Sequence, residues 1–108
     1  MTYTIAPNEP PTAGQPETFT ATYPQSARKK YGPRQHNNPQ VELVCGGEIA
    51  GVMPMADETR QSTGPDGTWE GVSYPITIPA AATSCSASVY SFDADGLTVW
   101  ASVSFDVA

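Results

Sequence analysis

The chain has 108 residues, eleven Asp and Glu against five Lys and Arg, and a net charge of −6. That length predicts one domain, and so acidic a body disfavours non-specific binding to nucleic acid or to an anionic membrane surface. Charged residues make up only 15% of the chain, and with Ser, Thr, Ala, Gly and Pro filling the polar positions the composition suits strands and turns rather than helices.

The first fifteen residues, with Pro7, Pro10 and Pro11 and then Pro16 closely following, predict an extended N-terminal arm over residues 1–15. Tyr3 to Ile5 would add a short edge strand before the prolines stop it. The opening MTYTIAPNEPP lacks the charged and apolar regions of a secretion signal, which leads to the expectation of synthesis in a cytoplasm. No apolar run approaches the roughly 18 residues of a membrane span. The domain proper is expected over residues 16–108. Glu17 to Tyr23 sets Phe19, Ala21 and Tyr23 against Thr18, Thr20 and Thr22, the alternation of a half-buried strand.

Residues 24 to 39, PQSARKKYGPRQHNNP, have no apolar periodicity and predict a long loop. It holds four of the five basic residues, Arg28, Lys29, Lys30 and Arg34, with Tyr31 and His36 beside them. On an acidic body this is a candidate docking tip for a carboxylate-rich partner, although a solvated loop is the competing reading. Strands are expected at Gln40 to Cys45, with Val41, Leu43 and Cys45 inward, and at Ile49 to Met55, where Pro54 points to an edge. A polar turn region is expected over DETRQSTGPDG, residues 57 to 67, followed by a strand from Trp69 to Ile78 with Val72, Tyr74, Ile76 and Ile78 in one phase.

Ser84 to Phe92 predicts a strand with Cys85, Ala87 and Val89 inward, while Tyr90 and Phe92 in the opposite phase point to a bulge. Asp93-Ala94-Asp95-Gly96 reads as a hairpin turn rather than a calcium loop. The last strand alternates from Leu97 through Val99, Ala101, Val103, Phe105 and Val107, which leaves Trp100 on the outward phase. An exposed tryptophan there is a candidate contact residue.

About seven strands without a helix predict an all-β fold, an immunoglobulin-like antiparallel β-sandwich. In that order Cys45 and Cys85 lie on neighbouring strands and point inward. They allow one disulfide at most, and in a reducing compartment a buried thiol pair is the expected state. His36 is the only histidine and has no nucleophile motif near it, so no catalytic residues are expected. Cofactor and metal sites are not expected either, since one histidine and two core-facing cysteines do not make a zinc site.

The proline-rich start APNEPPTAGQPETFTATYP, the strand order and the closing hairpin SASVYSFDADGLTVWASVSFDV together resemble the immunoglobulin-like accessory domains of tailed-phage virions. Capsid decoration proteins are the closest type, and the Lys-poor, Ala/Thr/Pro-rich usage is similar to that of phages of actinobacterial hosts. The resemblance implies a non-enzymatic virion protein on the outer capsid surface, bound to the major capsid protein and sometimes to further copies of itself, with the arm or the basic loop in contact. Two alternatives remain: a phage tail component, or a carbohydrate-binding or adhesin module recognising host-surface glycans through Trp100, Tyr90 and Tyr31. Neither nucleic acid nor a membrane is an expected partner.

Overall fold

The computed structural model describes residues 2–28, 30–31, 35–36, 39–63, 67–93 and 96–108. Eleven strands are present among them: β1 (Ile5–Pro7), β2 (Pro16–Glu17), β3 (Phe19–Pro24), β4 (Lys30–Tyr31), β5 (Gln35–His36), β6 (Gln40–Cys45), β7 (Glu48–Arg60), β8 (Thr68–Ser73), β9 (Ile76–Thr77), β10 (Ser84–Asp93) and β11 (Gly96–Asp106). Seven form one antiparallel sheet in the order β1-β3-β8-β7-β6-β10-β11, which folds over into a sandwich-like, nearly closed shape. The all-β expectation holds.

Side chains follow the pleat where the alternation is clean. Phe19, Ala21 and Tyr23 on β3, Val41 and Leu43 on β6, and Ala87 and Val89 on β10 are fully buried. Their threonine and serine neighbours face outward. The turn from β6 to β7 is Gly46–Gly47, both at positive φ (61° and 80°), a conformation that a residue with a Cβ rarely adopts. At the closest approach of chains in the core, a Cβ on Gly71 would run into the Tyr23 hydroxyl and the Met55 side chain.

Three sequence expectations are corrected. The strand expected at 49–55 runs on to Arg60 and takes in the start of the polar turn region: β7 pairs with β6 through Pro54, then with β8 from Met55 to Arg60. Proline has no N–H to give a ladder, and here it stands where the strand changes partner. Asp57 to Arg60 are polar because they face outward or rim the sheet, so polarity alone misread them as a turn. The strand expected at 69–78 is broken at Tyr74–Pro75, which shifts the phase. Gly71 and Ser73 point inward on β8, Tyr74 is exposed, and Ile76 and Ile78 return to the core.

The third correction concerns the last strand. Val89 faces Ala101 and Tyr90 faces Val99, so Trp100 is an extra residue without a partner, a β-bulge. Beyond the bulge the phase inverts: Leu97 and Val99 are exposed, and Trp100 turns toward the core. The bulge expected from Tyr90 and Phe92 is therefore present, and it overturns the expected placement of Leu97, Val99 and Trp100.

The N-terminal residues are extended but laid along the body. Thr22 N–H donates to Thr4 O, Asn8 N–H to Thr18 O, and Gly14 N–H to Ile78 O. At the far end Ala13 N–H donates to Ala108 O and Ala108 N–H to Pro11 O. Ile5 is buried in the core, and the Tyr3 ring meets Trp100 edge-on at 5.9 Å. This segment therefore pairs with β3 along β1 and is tied at its far end to the C-terminal Ala108.

Candidate binding surface

The segment expected as one long loop begins with a 3-10 turn, Gln25–Arg28, whose Ala27 plugs into the core. It continues as a short ribbon, with Lys30 facing His36 and Tyr31 facing Gln35. Lys29 and Arg34 lie outside the described residues, as do Ala94 and Asp95 of the expected hairpin turn and Pro65–Asp66 of the expected polar turn. The ends of β3, β7 and β10 and the starts of β6, β8 and β11 all fall at this end of the sandwich.

Arg28 is built into the fold. Its Nε lies 2.9 Å from Glu58 Oε2, and its guanidinium stacks 3.6 Å from the Trp69 ring centroid. Trp69 Nε1 donates in turn to Gln25 Oε1, which pins the turn to β8. Arg60 reaches the same ring, at 5.9 Å, because the ladder places Arg60 opposite Trp69 and Trp69 opposite Tyr23. Its place beside Arg28 was not legible in the sequence, where 31 positions separate the two. Arg28 and Arg60 thus share one end, Lys30 follows on β4, and Lys29 and Arg34 are known only by their place in the sequence between Arg28 and Pro39.

The Tyr23 hydroxyl donates to Glu58 Oε2 beside Arg28. Its pKa is pushed far above the ordinary tyrosine value, first by burial and then by the Glu58 carboxylate, with Arg28 opposing. An unfolded tyrosine ionises near pH 10. The stability this group contributes is therefore complete below about pH 10 and is lost as pH rises beyond it. Urea midpoints measured between about pH 9 and pH 11 should fall less for Tyr23→Phe than for the wild type; equal slopes would rule Tyr23 out as the titrating group.

Trp100, the other contact candidate, is half-buried. It packs on the core, donates from Nε1 to Ser91 Oγ at 2.9 Å and is covered by Tyr3. The expectation that it stands on the outer face is corrected by the bulge. Tyr90 does lie on that face but is only 8% exposed, held edge-on to Phe92 at 5.6 Å, and burial raises its pKa. Neither ring offers an open stacking platform. Exposed apolar surface comes instead from Phe92, Leu97 and Val99, each about half exposed.

Cys45 and Cys85 stand directly opposite one another on β6 and β10 and are joined as a disulfide, with a Cα–Cα separation of 4.2 Å. The neighbouring-strand placement agrees with the sequence, whereas the free thiol pair expected for a reducing compartment is replaced by a bond. Among the described residues no group of three or more His, Cys, Asp or Glu is arranged to hold a metal ion. Among the described residues no helix is long and apolar enough to cross a membrane. Comparison with known protein families, curated proteins and solved structures finds no match to this chain.

Proposed function

We propose that this chain is a non-enzymatic virion protein: an immunoglobulin-like sandwich that binds the major capsid protein of a tailed phage on the outer capsid surface and stabilises the shell. The strand order supports the fold part of this reading. It matches an A-B-E-D-C-F-G sequence of immunoglobulin strands, with β7 acting as D beside β8 and as an additional strand beside β6.

The observation that carries the functional part is the run of cations that follows Arg28 in the sequence. Arg28 and Arg60 meet on Trp69 at one end, and the segment from Arg28 to Pro39 adds Lys29, Lys30 and Arg34. Loops at the opposite end carry Glu9 and no Lys or Arg. The segments at that end also hold Glu58, Asp66, Asp93 and Asp95, so it is the cationic run after Arg28 that can orient the chain on a carboxylate-rich surface. Repetition of that surface over a shell would multiply a modest single-site affinity.

Particles of the phage encoding the chain are expected to retain it through gradient sedimentation. Replacing both Lys29 and Lys30 by Glu should reduce its occupancy on the particle at least about tenfold. A chain that stays entirely in the soluble fraction, or that binds equally with both lysines reversed, would defeat the proposal.

A further inference from the structure

The two outer faces of the sandwich differ in kind. Over β1, β3 and β8 the outward residues are mainly threonines, with Glu70 the charged member, and Thr4 Oγ1 lies 3.2 Å from Thr22 Oγ1 while Thr20 Oγ1 donates to Asn8 Oδ1 at 2.6 Å. Over β7, β6, β10 and β11 lie five of the seven large exposed apolar residues among the described residues: Ile49, Val52, Phe92, Leu97 and Val99. Within the paired rows of this second face the charged residues are Glu42 and, at a corner, Asp106, with no cation. Depletion of charge is the compositional mark of an interface core, and here Glu42, in the middle row, is the one charge near the centre.

The ladder registers show how its bulk is distributed. One row across the four strands is Val52, Glu42, Ser88 and Ser102; the next is Ile49, Val44, Ser86 and Ser104. In these two rows the β7–β6 half is raised by Val52, Ile49 and Val44 and the β10–β11 half is lowered by serines, while in the third row, Pro54, Gln40, Tyr90 and Val99, both halves carry bulk. Ser88 and Ser102 hydroxyls are 2.8 Å apart on that low half. A hollow of about 460 Å³ lies at its end, lined in part by Val44, Ser84, Ser86, Ser104 and Asp106. Ile49, the most exposed large apolar residue at 64%, stands two strands away in the same row.

We propose that this face is the interface between two copies of the chain, packed sheet on sheet about a two-fold axis parallel to the strands. In the Val52 and Ile49 rows that operation sets the raised half on the other copy's low half, and in the third row it sets Pro54 on the partner's Val99. Ile49 then enters the hollow at the partner's Ser104, and Val52 covers the partner's Ser102. Glu42 meets the partner's Ser88, a hydroxyl that can donate to its carboxylate. A two-fold across the strands would instead bring the two Glu42 carboxylates together and bulk onto bulk.

Four strands about 4.8 Å apart, at about 3.3 Å per residue over the six residues of β6, give roughly 400 Å² of flat face, which β10 and β11 extend beyond β6. Side-chain relief adds accessible area, which brings the face to the order of the ~800 Å² per partner that stable interfaces use. Sheets stacked in this way keep their strands nearly aligned, as this axis requires.

Sedimentation equilibrium of the full chain is expected to show twice the 11.4 kDa monomer mass well below about 1 mM. Val52→Glu and Ser102→Glu should each raise the dimer dissociation constant at least tenfold, while Thr20→Glu, on the opposite outer face, leaves it unchanged. A mixture of Glu42→Cys and Ser88→Cys chains should cross-link on oxidation, and Glu42→Cys alone should not. A monomer up to about 1 mM overturns the proposal and leaves the face to a different protein. A dimer indifferent to both glutamate variants, or cross-linking by Glu42→Cys alone, overturns the face or the axis.

Discussion

Replacing Cys45 and Cys85 together by Ala is expected to remove roughly 4 kcal/mol of stability, the loop-closure entropy of a cross-link spanning some forty residues. The native ladder between β6 and β10 is present with or without the bond, so the effect falls on the unfolded chain. Within it the bond holds together two strands that are otherwise free to separate. Urea unfolding should show a lower midpoint for the double variant, and the reduced wild type should unfold close to it. An unchanged midpoint in both would show that the bond contributes nothing to stability. Such a bond also ties the stable form to an oxidising environment, because reducing compartments keep thiols free.

Phe19→Ala is expected to cost about 4 kcal/mol, near the middle of the range for deleting a fully buried aromatic ring. Phe19 is 0% exposed and its ring centroid lies 6.0 Å from that of Phe105 on β11, so it joins the two halves of the sandwich across the seam. The backbone beside it is also committed, since Phe19 N–H donates to the buried Ser73 Oγ at 3.0 Å. Truncation leaves a cavity lined from both sides that β11 cannot close without giving up the ladder to β10. At about 4–6 °C per kcal/mol for a domain of this size, the melting temperature should drop by roughly 20 °C. Thr20→Ala, one residue along on the outward face, should stay within about 0.5 kcal/mol. Similar losses at the two positions would contradict the inward placement of Phe19.

The strands were legible where one partner and one phase persist. Gln40–Cys45 falls on the expected residues, and β3 carries its apolar set on the expected side. Period two is a local property of the backbone, and a residue pattern suffices to show it. It misled where the tertiary structure changes the rule partway along. β7 exchanges β6 for β8 at Pro54, and β11 gains one residue relative to β10 at Trp100. The bulge was signalled on β10, by Tyr90 and Phe92, but its consequence fell on the other strand.

The candidate surfaces were legible to different degrees. The basic cluster between Arg28 and Arg34 was visible as a run, whereas Arg60 joins it only because two ladders bring it onto Trp69. Trp100 drew attention because an exposed tryptophan is costly, and the fold removes that cost by turning it inward under Tyr3.

The amino-acid sequence by itself determined the all-β class, the inward residues of β3, β6 and the first part of β10, and the pairing of the strands that carry Cys45 and Cys85. Those depend on alternation, turn residues and short-range order, which a chain expresses locally. Only the tertiary structure decided that the cysteines are bonded, that the proline-rich start is stitched to β3, Ile78 and Ala108, and that Leu97 and Val99 replace Trp100 on the outer face. Each of these depends on which strand lies beside which and in what register, and a single inserted residue reverses which side of a sheet every following side chain occupies.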